Sequence, residues 1–414
     1  MNQTAPQDKS HVLTIGQLVL SLVGLGLLLL GFVGLSILLL LPTQAEIMPF
    51  DAQSQLRQML WVVATLILLT IPSLVAAIRC LNGLPAKKVP LRGFLFASIS
   101  LIVTALVVTL WVSFATDSLT HALGGLVSVL VVFMPLWWFL ELGRLGLSRI
   151  SAQRQWGAAT FGNFVTLPTV LIMETVVLAI GVIIASIWLI QQPEFLPYLQ
   201  QFEPGMPFDF FNLQGLDIDW LALVQHPFII TAIVIGASLT IPLIEELLKP
   251  LGMWFLRKRQ FSPSSGFIIG MICGAMFAFV ESSFSLSAVT SNDWLFTAIG
   301  RVGTNLLHLT LTGFNGWALF STWLDGKYLR LGITYLVTVI VHGIWNLFAL
   351  LMGLNTIGGE LSLAVSPTLT AAAQWVLIGL SLAMFAALIF MNAHLRKEKP
   401  HNDSPPPMPI PMGN

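Results

Sequence analysis

Seven side chains of the 414-residue chain have the types and spacings of a hydrolytic centre. Glu245, Glu246 and Lys249 come first, in the run Ile-Pro-Leu-Ile-Glu-Glu-Leu-Leu-Lys over 241–249. Residues three and four apart share a helix face, so Lys249 can pair with either acid. One lysine neutralises one carboxylate, and a surplus buried carboxylate suits a general base. Pro242 withholds an N–H and kinks a helix, which frees carbonyls beside the two acids. Glu281 follows Phe277 by four residues, His308 stands among Thr304, Asn305 and Thr312, and Asn346 follows His342 by four.

A lone histidine on an apolar helix usually packs; two, accompanied by three carboxylates, point to a site. The set supports two chemistries. In one, imidazole and carboxylate hold a divalent metal such as zinc, whose bound water attacks near neutral pH. Glu246, Glu281, His308 and His342 are then the candidate ligands. In the other, a glutamate deprotonates water directly while His and Asn side chains stabilise the oxyanion at a peptide carbonyl. The chain has no His-Glu-x-x-His, no Gly-x-Ser-x-Gly and no spaced pair of aspartates within its apolar runs. Zincin, serine and aspartyl readings are therefore unsupported.

The elements that must position these groups are membrane helices. The chain is 56% hydrophobic and 9% charged, against about 25% charged in soluble domains. A water-soluble globule is excluded, and so is disorder in a chain this rich in Leu, Ile, Val and Phe. A span needs about 20 apolar residues. Ten segments qualify: 13–41, 58–78, 93–115, 122–141, 164–190, 228–254, 266–288, 298–320, 331–353 and 369–391. The first run is far longer than the apolar core of a signal peptide and reads as an uncleaved span. The expected fold is an all-α, polytopic bundle of about ten transmembrane spans.

Basic residues set the expected orientation. With both termini cytoplasmic, inner segments collect 16 of the 19 Lys and Arg, and only Arg57 and Arg301 fall outside. A formal net charge of zero gives no case for nucleic acid, and Cys80 and Cys273 give none for a disulfide or thiolate cage. Residues 1–190 read as a five-span region without a motif, 191–227 as an acidic, aromatic extracytoplasmic loop, and 228–353 as a four-span core. An outer loop and final span occupy 354–392, and a disordered Pro-rich tail 393–414. No internal repeat survives a shift of the whole chain against itself. Ionisable groups concentrate in spans six to nine, and such residues mark function in a membrane. Measured from the inner edges, Glu246 and Glu281 differ in depth by roughly 6 Å, which tilt absorbs. The histidines lie at similar depth. All are expected to converge near mid-membrane.

The order of these motifs resembles the PrsW family of intramembrane proteases, relatives of the CAAX prenyl proteases and bacteriocin-processing enzymes. The resemblance rests on Glu-Glu-x-x-Lys (Glu245, Glu246, Lys249), Phe-x-x-x-Glu (Phe277, Glu281), the lone His308, and His-x-x-x-Asn (His342, Asn346). It covers roughly 228–350. It implies a multi-pass protein of the plasma membrane that cuts a transmembrane protein substrate in or near its membrane segment. An anti-sigma factor or other regulator is the implied substrate, and the family's label implies a metal. On this reading Glu246 is the general base or a metal ligand, and Glu245 pairs with Lys249. Glu281, His308 and His342 bind metal or the transition state, and Asn346 orients His342 or the oxyanion. Two other classes fit less well. A proton- or cation-coupled transporter would place matching sites in two halves, and spans one to five offer only Glu174. A non-catalytic scaffold would not need the complete motif set.

Overall fold

The computed structural model describes residues 11–40, 50–84, 92–114, 116–147, 150–193, 226–254, 256, 262–287, 294–357 and 367–397. Most of the expected 191–227 loop and of the Pro-rich tail lies outside the described residues. Among those described there is no strand. The helices are α1 (His11–Leu40), α2 (Phe50–Leu81), α3 (Gly93–Phe114), α4 (Asp117–Gly143), α5 (Ala152–Phe161), α6 (Leu167–Ile190) and α7 (Pro227–Ile235). They continue with α8 (Ile241–Leu248), α9 (Leu251–Trp254), α10 (Pro263–Ser287), α11 (Trp294–Asp325), α12 (Tyr328–Ile357) and α13 (Pro367–Lys397). Single π turns, Gly162–Thr166 and Gly236–Thr240, join α5 to α6 and α7 to α8.

Among the described residues nine stretches are long and apolar enough to cross a bilayer. The chain is a polytopic helical membrane protein. Two expected spans differ in detail. The eighth, 298–320, lies within α11, a 32-residue helix too polar to count among the nine. Thr304, Asn305, His308, Thr310, Thr312 and Asn315 dilute its apolarity, and all six are buried. A helix shielded by protein can carry polar side chains that lipid would reject. The fifth begins at Ala152 rather than 164, as one helical run to Ile190. Its polar first turns are held by side chains: Ser151 Oγ accepts from the Arg154 amide, and Gln153 Nε2 donates to Thr14 Oγ1 at 2.9 Å.

The chain forms two compact units. The first comprises 1–168, 246–338 and 380–414, the second 169–245 and 339–379.

In the first unit α10 is the core element, buried along most of its length and packed on α11, α4, α5 and α2. Gly266, Gly270 and Gly274 recur every four residues on the face that meets α11. A Cβ at Gly274 would lie 2.5 Å from the His308 carbonyl oxygen, and one at Gly266 2.5 Å from that of Gly316. Only glycine lets two backbones approach this closely. Small residues spaced by four are how membrane helices pack without a hydrophobic drive. The stripe fixes the register of α11 and hence the height of His308. Further out, Ser282 Oγ donates to Asn305 Oδ1 at 2.7 Å. A second polar seam ties α1 to α2, where Gln17 Nε2 donates to Ser73 Oγ at 3.1 Å and Ser21 Oγ to the same atom at 3.1 Å.

In the second unit Trp188 of α6 stacks on Phe228 of α7, with ring centroids 4.3 Å apart. α7 starts in a conventional way: His226 caps it by accepting from the Phe228 amide, and Pro227 fills the first turn, where an N–H is dispensable.

The two π turns share one sequence pattern, which amends the expectation of no internal repeat. Gly162-Asn163-Phe164-Val165-Thr166-Leu167-Pro168 and Gly236-Ala237-Ser238-Leu239-Thr240-Ile241-Pro242 both read Gly-x-x-(Val/Leu)-Thr-(Leu/Ile)-Pro. In each, the residue before proline donates to the glycine carbonyl five residues back. Proline has no N–H to continue that pattern. The carbonyl after the glycine therefore loses its donor in both places.

Candidate functional site

Within the first unit, the motif residues of α8, α10 and α11 form one buried chain of polar contacts. Lys249, just past the end of α8, reaches Glu246 Oε1 at 3.0 Å and His308 Nδ1 at 2.6 Å. Its ammonium also sits 4.5 Å above the Phe277 ring centroid, a favourable cation–π placement. Phe277 in turn meets His308 edge-on, with centroids 5.4 Å apart. Pro250 follows Lys249 and ends the helix there. Of the two acids that spacing offered to Lys249, Glu246, three residues away, is within hydrogen-bond distance in the first unit.

His308 lies 2.7 Å through Nε2 from Glu281 Oε2, and Glu281 Oε1 accepts from Arg301 Nη1 at 2.9 Å. An ammonium can only donate, so Nδ1 is the acceptor and the proton of a neutral ring sits on Nε2, facing Glu281. Asn315 completes the chain at the other end. Its Nδ2 donates to Glu246 Oε2 at 3.0 Å and to Thr338 Oγ1 at 3.2 Å. Both oxygens of Glu246 are thus engaged. The run Thr338–Asn315–Glu246–Lys249–His308–Glu281–Arg301 carries two acids and two bases, so it is electrically balanced with a neutral imidazole. Side chains of Glu246 and Lys249 are 0% exposed and His308 1%, but Arg301 is 25% and Glu281 34% exposed. The chain opens at its Arg301–Glu281 end.

Three of these residues, Arg301, Asn315 and Thr338, were not among the candidates read from sequence. A signal for two of them existed. Arg301, His308 and Asn315 recur at intervals of seven on α11, two helical turns, which puts them on one face.

The second unit holds the other motif residues. His342 Nε2 stands 3.9 Å from Glu245 Oε2, and both side chains are buried. Asn346 Nδ2 donates to the Ala237 carbonyl at 3.0 Å. That is the carbonyl left without a chain donor by the π turn and Pro242, so the freed backbone group anticipated beside Pro242 is present and capped. Asn346 therefore has a backbone partner that its expected role toward His342 or an oxyanion did not include. Gly343 packs against the Ser238 carbonyl so closely that a Cβ there would overlap it. Glycine between His342 and Asn346 is what lets α12 lie against the π turn.

The donor types fit a divalent ion, with a condition. Glu245 and His342 present carboxylate oxygen and imidazole nitrogen, the ligands zinc takes. His308 binding an ion at Nε2 would carry its proton on Nδ1 instead, toward a lysine that also donates. Ligation by His308 thus requires Lys249 either to accept that proton as a neutral amine or to move away.

Residues 215–390, rather less than half the chain, match the family model described as PrsW family intramembrane metalloprotease. No curated protein and no solved structure matches the chain. The match covers all seven motif residues. The apolar helices agree with the membrane setting of that family.

Proposed function

We propose that the chain is an intramembrane endopeptidase hydrolysing a peptide bond in or beside the transmembrane segment of a membrane-protein substrate. The substrate class suggested by the family resemblance is a single-pass regulator such as an anti-sigma factor, and the membrane is the plasma membrane, with both termini cytoplasmic. The observation that carries the reading is the buried run from Glu246 through Lys249 and His308 to Glu281. Charges so placed are costly in a membrane, and motif residues of three helices, α8, α10 and α11, supply them.

Roles follow from which groups are already engaged. Glu246, held by Lys249 and Asn315, anchors the lysine. Glu245, a buried carboxylate with His342 as its neighbour, takes the proton from the attacking water and returns it to the leaving amine. The resemblance suggests Glu246 for that role. His308 and Glu281, near the open end of the run, act at the substrate carbonyl. Glu281 and His308 in the first unit, and Glu245 and His342 in the second, carry the oxygen and nitrogen donors a metal would take. Such an ion would supply a more acidic water and polarise the carbonyl; the residue roles stand with or without it.

The test compares membrane proteomes of cells expressing wild type, Glu245→Gln and Glu281→Gln, with and without a chelator. Shortened single-pass proteins should appear with wild type alone. Identical fragments from all three would refute the assignment, and wild-type cleavage that persists in chelator would remove the metal.

A further inference from the structure

Cleavage within a membrane helix has a requirement that the residues above do not meet. A helical peptide bond is screened, because its carbonyl accepts from the amide four residues on. Attack requires opening that turn. In hydrocarbon each carbonyl so released lacks water and costs several kcal/mol until a donor is found. The enzyme has to provide the donors.

Most donors of the buried run are committed. Lys249 serves Glu246 and His308, the Asn315 amide serves Glu246 and Thr338, and His308 Nε2 faces Glu281. Arg301 differs. A guanidinium carries five N–H donors in a planar fork, and only Nη1 has a partner among the described residues, Glu281 Oε1. Its side chain is 25% exposed at the end where the run opens. One arm of the fork is therefore tethered to Glu281, while the remaining donors stay available on a side chain that is part-exposed.

We propose that Arg301 is a positioning residue whose free N–H groups receive the backbone carbonyls released when the substrate helix opens next to the scissile bond. The inference rests on the endopeptidase reading. Carbonyls fit better than an acidic substrate side chain. Arg301 already balances Glu281, so a second carboxylate would leave the site with an excess negative charge, whereas a carbonyl adds none.

The experiment uses the full-length protein in liposomes and one single-pass protein found shortened in wild-type membranes, in two forms. One has its native membrane helix; the other has Gly-Gly placed beside the cut, which weakens the helix there. Arg301→Met should slow the native form by about 10- to 100-fold, the worth of one charge-assisted hydrogen bond. It should slow the Gly-Gly form about threefold or less. Arg301→Lys, which keeps the charge but loses the fork, should fall between. Equal losses on both forms would indicate a general structural role and overturn the proposal, as would no loss on either. Rescue by neutralising an acidic residue of the substrate, rather than by opening its helix, would replace carbonyl docking with side-chain docking. If wild type cleaves neither form, it is the endopeptidase reading that falls.

Discussion

Replacing Lys249 with methionine probes the centre of the site. The side chain is fully buried, bonds Glu246 at 3.0 Å and His308 at 2.6 Å, and lies 4.5 Å over Phe277. Methionine keeps the length and the contact with Phe277 but removes the charge. Glu246 is then a buried carboxylate without its lysine, with Asn315 still donating to it, and His308 Nδ1 loses the lysine contact. Breaking a buried ion pair by deleting one partner costs about 3–5 kcal/mol. That is roughly two to three and a half orders of magnitude in the unfolding equilibrium. The double variant Lys249→Met/Glu246→Gln removes both charges while leaving Asn315 an amide oxygen to donate to. It should lie within about 1–2 kcal/mol of wild type, because the largest part of the single loss is the stranded carboxylate. The assay is an unfolding equilibrium by steric trapping in bicelles, run as a double-mutant cycle. A single loss below about 1 kcal/mol, or losses that simply add, would refute the claim that this pair is a desolvated, mutually dependent unit.

Three further outcomes follow from the same contacts. Gly274→Val, facing the His308 carbonyl at 2.5 Å, should destabilise by about 1–3 kcal/mol through overpacking and displace α11 at the site; thermal melting and cleavage should both fall, whereas Gly181→Val, in open space, should change neither. Asn315→Leu removes the donor to Glu246 Oε2 and should cost about 1.5–3 kcal/mol, the worth of a hydrogen bond to a charged group, read in the same bicelle assay. Asn346→Leu strands the Ala237 carbonyl; hydrogen exchange over 236–242 should quicken at least tenfold relative to α10, for a local loss of about 1.4 kcal/mol or more.

Much of this was legible in the sequence, for physical reasons. Bilayer thickness dictates apolar run length, so the spans could be marked from sequence, 298–320 included, although its buried polar residues make α11 too polar to count among the nine. The acids and histidines were legible because an ionisable residue in a span has few bland explanations. The Glu246–Lys249 contact was less legible: spacings of three and four are both compatible with a helix, so sequence offered either acid. Arg301 was hidden by reading as a boundary arginine, although it stands two turns from His308 on α11. Asn315 and Thr338 carry no charge to draw notice. The paired π turns were missed because seven matching residues are diluted when whole spans are compared, and what the copies share is a backbone irregularity rather than a hydropathy pattern.

The central claim is that this chain cuts peptide bonds inside or at the edge of membrane helices. Sequencing the new termini of proteins shortened by wild type, but not by Glu245→Gln, tests it most directly. The account predicts termini that fall within or a few residues outside single membrane-spanning segments. Termini confined to water-exposed loops, or no wild-type-specific termini at all, would contradict it.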